Sequence, residues 1–481
     1  MGQHIRGIPR NQRALLPAAV EDYVGADSLP RVIDGFVNVQ DLSALGFIRS
    51  EPAPTGRPGY APDDLLKLYL YGYWNQIRSS RRLEAECKRN LELMWLMGQL
   101  TPDYKSIAEF RKLNSQAFEQ ACHRFTVFLR EAKLIGGEAP VVAIDGSRFK
   151  ATAAKASLMN AEQLAKAQER TARQVAQYLA QLDQADREEA GQTEPDAAHI
   201  RKALEQLKER AAVLDQAETQ LDQGKTRVGL TDPDSVMLTK NGTTVVGYNV
   251  QQAVDARHKL IVAHEVTTER NDHASLLPMA IQAKEALQVQ TLTVTCDTGY
   301  ANGAQSEACE KQGITPVVPM PQVVNTRHAE GYSKAEFTYD KASDTWRCPA
   351  GQLLSRYKRD QTKQTDYYRT KACATCTQKA QCTQAEQRSI ARSWFAEAME
   401  RADARAKESP ALMRLRSATA EHPFGNLKAM LAGGFLMRTL PKVKGEMALG
   451  VLTYHLKRVL AILGFEKLME KLRTTKAFAV A

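Results

Sequence analysis

Three acids stand in sequence contexts that suit metal-ion chemistry. Asp145 follows the apolar run Pro140-Val141-Val142-Ala143-Ile144 and precedes Gly146. Asp297 follows Val294-Thr295-Cys296 and leads into Thr298-Gly299-Tyr300. Glu421 opens Glu421-His422-Pro423-Phe424-Gly425. A short continuous apolar run ending in an acid reads as a buried strand with a carboxylate at its carboxyl end. If the two strands are neighbours, both carboxylates project at one sheet edge, where they can bridge a pair of divalent cations about 4 Å apart. Mg²⁺ takes oxygen ligands and needs few carboxylates when a substrate phosphate supplies others. Pro423 steers His422 out of helical geometry and is tolerated in a first helical turn. Glu421 is therefore expected at a helix start or just before a kink. Lys428 then lies about two turns along, within reach of a phosphate. A lone Asp at a strand end is otherwise a turn or cap residue, and Asp255 and Asp272 are of that type. The weight rests on the combination of acids with strand order.

Cysteines form a second candidate centre. Cys348 is followed by Cys373-Ala374-Thr375-Cys376 and then Cys382. A C-x-x-C element with two flanking cysteines suits a tetrahedral, structural Zn²⁺ site, and a long segment of this kind needs some constraint. The other reading is four ordinary thiols in an irregular segment. Eight cysteines in 481 residues fit a reducing cytoplasm, where clustered cysteines more often mean metal than disulfide. Cys87, Cys122, Cys296 and Cys309 read as buried thiols.

The elements that must position these residues change character along the chain. Residues 1–30 read as an N-terminal arm. Its first 24 residues carry Arg6, Arg10, Arg13, Glu21 and Asp22 with no apolar core, unlike a signal peptide. Residues 31–135 read as an all-α domain. Pro62-Asp63-Asp64 marks a helix start, and Leu65, Leu66, Tyr69, Leu70 and Trp74 follow helical spacing. Basic residues, Arg81 and Arg82 among them, interleave with these short helices. That suits either a helix-turn-helix-like DNA reader or a helical packing domain with a solvated basic face. Residues 155–224 are rich in Ala, Gln, Glu, Leu, Lys and Arg. Two apolar stripes interrupted at Gly191–Pro195 predict an inserted helical hairpin or a short coiled coil.

A strand signal lies at Pro140–Ile144, ending in Asp145, and strand signals resume after Gly224, at Thr244–Val254, Leu260–Val266, Thr291–Cys296 and Ile314–Val318. Helices are expected at His273–Leu287 and Asn302–Gln312. The order strand, insertion, strand, strand, helix, strand, helix, strand indicates an α/β fold with a mixed sheet over 139–319. Residues 320–394 read as an irregular, Cys-rich insertion. Residues 395–465 read as helical and return to the sheet domain, with a strong amphipathic helix at Val443–Leu463. Residues 466–481 read as a C-terminal tail.

The chain carries 65 Lys and Arg against 55 Asp and Glu, a formal net charge of +10. That excess suits a polyanionic partner, because bound cations release DNA counterions. No stretch approaches the ~20 apolar residues of a membrane span, so no membrane partner is expected.

Taken as a set, these segments resemble the DDE transposases of bacterial insertion sequences. The resemblance rests on Ile144-Asp145-Gly146, on Gly247-Tyr248-Asn249-Val250-Gln251 with Val254-Asp255, and on Asn271-Asp272-His273. It also rests on Cys296-Asp297-Thr298-Gly299-Tyr300 and on Glu421-His422-Pro423-Phe424-Gly425 with Lys428. The Phe435–Val443 segment, Glu446-Met447 and the N-terminal Pro62–Arg111 region match one branch of that group. The resemblance runs from about residue 30 to 465. It implies a ribonuclease-H-like catalytic domain with Asp145, Asp297 and Glu421 holding two Mg²⁺ or Mn²⁺ ions. In the implied reaction, water attacks a phosphodiester at the element end, and the freed 3′ hydroxyl then attacks target DNA. Lys428 suits the lysine that such enzymes carry downstream of the glutamate. Arg414 and Arg416 lie upstream as further DNA-binding candidates, with no tyrosine nearby. The implied partners are double-stranded DNA, as terminal inverted repeats and target, and a second copy of the chain in the DNA complex. The implied location is the bacterial cytoplasm and nucleoid. A ribonuclease-H-fold nuclease without strand transfer and a non-catalytic DNA-binding relic remain alternatives. A coiled-coil scaffold would account only for residues 155–224.

Overall fold

A computed structural model describes residues 19–51, 58–187, 194–240, 242–321 and 331–478. Most of the expected arm and the centre of the Gly191–Pro195 break lie outside them.

Six helices open the chain: α1 (Leu29–Asn38), α2 (Pro62–Trp74), α3 (Ser80–Cys87), α4 (Leu91–Leu96), α5 (Tyr104–Leu113) and α6 (Ser115–Glu131). Local chemistry sets their starts. Pro62 begins α2 with Asp63 and Asp64 in its first turn. The side chains of Asn90 and Asp103 accept the free N–H groups at the starts of α4 and α5.

The sheet domain follows. Its elements are β1 (Val141–Lys150), β2 (Leu158–Met159), α7 (Ala161–Arg187), α8 (Glu194–Asp222), β3 (Val228–Gly229), β4 (Val236–Lys240), β5 (Thr243–Asp255), β6 (Ile261–Thr267), α9 (Leu276–Leu287), β7 (Leu292–Thr295), α10 (Gly303–Lys311) and β8 (Ile314–Val317). β6, β5 and β1 pair antiparallel in that order, while β7 and β8 add to β1 in parallel. β4 extends the six-stranded sheet as a hairpin with the start of β5. The mixed order, with the first and fourth main strands adjacent, is the one expected of a ribonuclease-H-like sheet.

The inserted hairpin forms as expected. α7 packs on α8, Leu164, Leu214 and Ala217 are buried with Val228, and the β2–β3 pair ties its base.

The described part of the expected irregular insertion, residues 331–394, is a sheet. β9 (Thr338–Asp340), β10 (Thr345–Arg347), β11 (Leu353–Asp360), β12 (Thr365–Arg369) and, after the short α11 (Lys379–Cys382), β13 (Ile390–Ser393) form a five-stranded antiparallel sheet. Phe337, Trp346, Leu354, Tyr368 and Ile390 make its own small core. The chain then returns through α12 (Ala396–Glu408), α13 (Pro410–Met430), α14 (Leu440–Leu463) and α15 (Phe465–Thr474).

One hydrophobic core joins the N-terminal helices, the main sheet and the C-terminal helices. α6 and α14 are its central contact. They approach so closely that a β-carbon on Gly445 would lie 2.5 Å from the Ser115 Cα. The described part of the expected tail, to Phe478, is instead built in. Leu468 and Leu472 of α15, with Ala477 and Phe478, are buried in that core, and Phe478 stacks on Phe128. No single described helix is long and apolar enough to cross a membrane.

Candidate active site

β1 and β7 run parallel, and their pairing ends where Ala143 meets Thr295. Asp145 stands two residues further along β1, and Asp297 stands two residues past Thr295, just beyond the end of β7, so the register brings the two acids out beside each other past the last paired rung, close enough for their charges to interact. On its other side Asp145 lies opposite Gln252 of β5, and β1 continues to Lys150. The expectation that Asp145 closes its strand is thus corrected. Its parallel neighbour stops there, while its antiparallel neighbour continues.

Asp145 is half-buried. Its Oδ1 accepts the Gly146 N–H at 2.8 Å, and its Oδ2 lies 3.6 Å from Nη1 of Arg416. Burial pushes the Asp145 carboxyl above its ordinary range. Arg416 and the Gly146 N–H oppose that push, whereas the charges of Asp297 and Asp272 add to it. Asp297 Oδ1 accepts the Gly299 N–H at 2.8 Å, so this acid also caps the short turn Thr298–Tyr300.

Helix α13 packs across β1, β5 and β7, burying Thr419, Ala420, Pro423, Phe424 and Leu427. Glu421 lies well inside this helix and is exposed, and it accepts the Ser417 hydroxyl at 2.7 Å. Of the two expectations for Glu421, the helix start is corrected: α13 begins at Pro410, and Pro423 is an interior residue two positions past Glu421. Among the described residues, no hydrogen bond or ion pair joins Glu421 to Asp145 or Asp297. The sequence thus brings two acids together, and the helix that carries the third crosses above them with Arg416 as its present contact to Asp145.

Arg416, expected on DNA, here neutralises Asp145. Its Nε is buried without a hydrogen-bond partner among the described residues. Arg414, Arg81, Arg82 and Lys428 are exposed. Arg81 stacks over Tyr104, and Lys428 lies 6.0 Å from the Phe149 ring centroid. α3 sits near the far end of β1, because Arg78 donates to the Gly434 carbonyl at 2.7 Å and Gly434 bridges to Lys150. His422 is engaged with the Tyr454 hydroxyl at 3.1 Å.

The two acids left open by the sequence separate cleanly. Asp255 accepts the N–H groups of Arg257 and His258 and anchors the β5–β6 turn. Asp272 reaches the Asp145 neighbourhood, which its position between two elements did not disclose.

Cys348, Cys373, Cys376 and Cys382 line one cavity. The Cys382 thiol is pushed up, first by burial, with the other three thiols adding to the push against Arg388. Cys348 Sγ accepts the Gln352 N–H at 3.3 Å. Arg388 clamps this region by donating to the Cys382 and Tyr332 carbonyls. Although the thiols share a cavity, no three His, Cys, Asp or Glu side chains among the described residues stand close enough, as oriented, to share one ion. That holds for the acids of the main sheet as well.

Comparison with known proteins gives two family matches. The family described as "Transposase domain (DUF772)" matches residues 18–113. The family described as "Transposase DDE domain" matches residues 217–456, which include Asp297 and Glu421 and begin after Asp145. No protein of curated function matches. Among solved structures, the cryo-EM structure of the piggyBac transposase synaptic complex with hairpin DNA is similar at a TM-score of 0.29 and 8% identity, covering 92% of this chain and 76% of that one. That likeness is too distant to assign anything here.

Proposed function

The chain belongs to the DDE transposases, and from that premise we propose that it cuts DNA at the ends of an insertion sequence and transfers the freed 3′ hydroxyl to target DNA. The observation that carries the reading is the neighbouring pair Asp145 and Asp297, brought together by adjacent parallel strands, with the Glu421 helix packed across those strands. We assign these three carboxylates as the working acids.

The residues present fit divalent ions. Asp145 and Asp297 are neighbouring acids, and Arg416 is the cation beside Asp145. Gln252, fully buried directly across the ladder from Asp145, has neither amide atom satisfied among the described residues. Buried polar groups of that kind are uncommon without an ion or water to meet them. Mg²⁺ or Mn²⁺ at this position would supply charge stabilisation for the attacking and leaving oxygens of an in-line displacement. The chain's own groups do the positioning. Asp145 and Asp297 fix the centre on the rigid sheet. Glu421 sits five residues beyond Arg416, about 7.5 Å along the helix axis and about 140° around it, so the two side chains leave α13 on different sides, Arg416 on Asp145 and Glu421 in solvent. Lys428, Arg414, Arg81 and Arg82 are free to meet phosphates, and Arg416 joins them once Asp145 has another cation.

The four cysteines are read as a structural Zn²⁺ site that pins the loops of the five-stranded sheet. Two chains are expected to act together, since two element ends must be joined. The same reading places the protein in the bacterial cytoplasm, on the nucleoid.

The test is cleavage of a labelled duplex carrying the native element end, with Mg²⁺ or Mn²⁺. Wild-type protein is expected to nick at the element boundary and to join the end to a second duplex, while Glu421→Gln binds but does not nick. Nicking without joining would make the protein a nuclease. Equal cleavage by both proteins would remove Glu421 from the site.

A further inference from the structure

The centre contains an acid beyond the three of the family motif. The loop after β6 carries Asp272 to the gap between β1 and β7. There it lies against the two glycines that follow the two strand acids. A β-carbon on Gly146 would stand 2.5 Å from Asp272 Oδ1, and one on Gly299 would stand 3.8 Å from Asp272 Oδ2. The same Gly299 point is 3.0 Å from Asp297 Oδ1. Two glycines are thus bare where Asp272 enters, and oxygens of Asp272 and Asp297 both lie within 4 Å of one point.

The carboxylate is also aimed. Asn249 Nδ2 and Gln251 Nε2 both donate to Oδ1, at 2.8 and 2.6 Å. Gln251 is itself fixed by the buried Tyr300 hydroxyl, which donates to its Oε1. Among the described residues both side-chain donors fall on Oδ1 and none on Oδ2, the oxygen on the Gly299 side. Orienting one oxygen through outer hydrogen bonds while leaving the other open is the usual construction of a metal-ligating carboxylate. Past the Ala143–Thr295 rung the strands no longer pair, so groups from both sheet faces reach the gap. Arg416 comes from the α13 side and Asp272 from the α9 side.

We propose that Asp272 is a metal-binding carboxylate of the active centre, giving Oδ2 to the divalent ion that Asp297 also holds. The assignment rests on the transposase reading of Asp145 and Asp297. Asn249, Gln251 and Tyr300 are then positioning residues that act through Asp272, which gives one physical account for three further motif positions.

Mn²⁺ binding to the full-length protein without DNA, read from the spectroscopic signal of free Mn²⁺, tests this. Asp272→Asn keeps the shape and the two accepted hydrogen bonds. It is expected to weaken Mn²⁺ binding by about 10–100-fold, with binding to end DNA in chelator unchanged, and Asp272→Glu should recover part of the loss. Asp145→Asn is the control. Wild-type Mn²⁺ affinity in Asp272→Asn together with loss in Asp145→Asn overturns the role of Asp272 alone. Wild-type affinity in both variants overturns the carboxylate centre and this proposal with it. A measurement on the unaltered chain guards against misfolding. Fe²⁺ loaded in place of Mn²⁺, with peroxide and ascorbate, cuts backbone beside its ligands. Cuts near residue 272 as well as near 145 and 297 support the assignment, and cuts near the latter two alone refute it.

Discussion

Removing the carboxylate of Glu446 should unfasten the N-terminal helices from the catalytic unit. Glu446 lies in the second turn of α14 with its side chain fully buried. Its Oε1 accepts the Tyr73 hydroxyl at 3.1 Å and lies 3.5 Å from the Arg78 guanidinium. Its Oε2 accepts two backbone N–H groups, from Leu436 and Met437, each at 2.8 Å. Glu446→Ala removes the carboxylate beside the half-buried Arg78 and the acceptor of the buried Tyr73 hydroxyl and of two part-buried N–H groups, which by the usual cost of breaking a buried ion pair is about 3–5 kcal/mol. Glu446→Gln keeps an acceptor for the two N–H groups but loses the charge that Arg78 and Tyr73 use, for a loss of about 1.5–3 kcal/mol. Replacing Arg78 and Glu446 together by methionines should recover the ion-pair part and leave the cost of the two N–H groups. Urea unfolding of the full chain measures all three. A loss below about 1 kcal/mol in Glu446→Ala would refute the reasoning, because it would mean that the buried charges are readily resolvated. Since Arg78 also holds Gly434 beside Lys150, specific DNA affinity should fall with stability in the same series.

Three further outcomes are expected. His455 is fully buried, its Nε2 accepts the Ile261 N–H at 3.2 Å, and burial holds its pKa down at about 3. The unfolded chain takes up this proton near the ordinary value while the folded chain refuses it. Its contribution is therefore intact above about pH 6.5 and is lost as pH falls towards 3, by roughly 1.4 kcal/mol per pH unit. His455→Gln should flatten that part of the acid-stability curve, and an unchanged slope would show that the imidazole escapes its burial. Gly445→Ala must push α14 off Ser115 of α6, and a melting temperature at or above wild type would contradict the close approach; about 1–3 kcal/mol of destabilisation is expected. Zinc analysis of reduced protein should find one ion per chain. Chelation should then open residues 331–395 to protease while the main sheet stays protected, and metal-free protein with the same protease resistance would remove the zinc reading.

Much of the fold was legible because the main sheet is buried and alternates regularly with helices, giving apolar runs at 141–144, 244–254 and 292–296 that need little else to be read. The five-stranded sheet was missed for the opposite reason. In β11 only Leu354 is buried, and its neighbours are charged or exposed, so no alternation betrays a strand. Pro423 suggested a helix start because proline is tolerated in a first helical turn, whereas here it is buried in the interior of α13, where that helix lies on the sheet. Asp145 and Asp297 were visible as acids closing apolar runs. Asp272 looked no different from Asp255, because what separates them is the Asn249, Gln251 and Tyr300 cradle, which converges only after β5, β6 and the turn after β7 have packed. Arg416 on Asp145 is likewise a helix-on-sheet contact, and spacing along α13 could not report it.

The excursion between Lys150 and Gly247 deserves to be seen from the sheet. Those two residues form the last rung between β1 and β5, so the connection between them, both long helices and β4 included, is topologically one long hairpin loop. The β2–β3 clasp closes that loop near its base, and closing a longer loop costs only logarithmically more. The arm, about 40 Å long for the 27 residues of α7, can therefore be shortened, lengthened or exchanged without shifting the register that brings Asp145 beside Asp297. Whatever the arm grips, evolution or an engineer can retune its reach as a cassette while the cutting centre stays as it is.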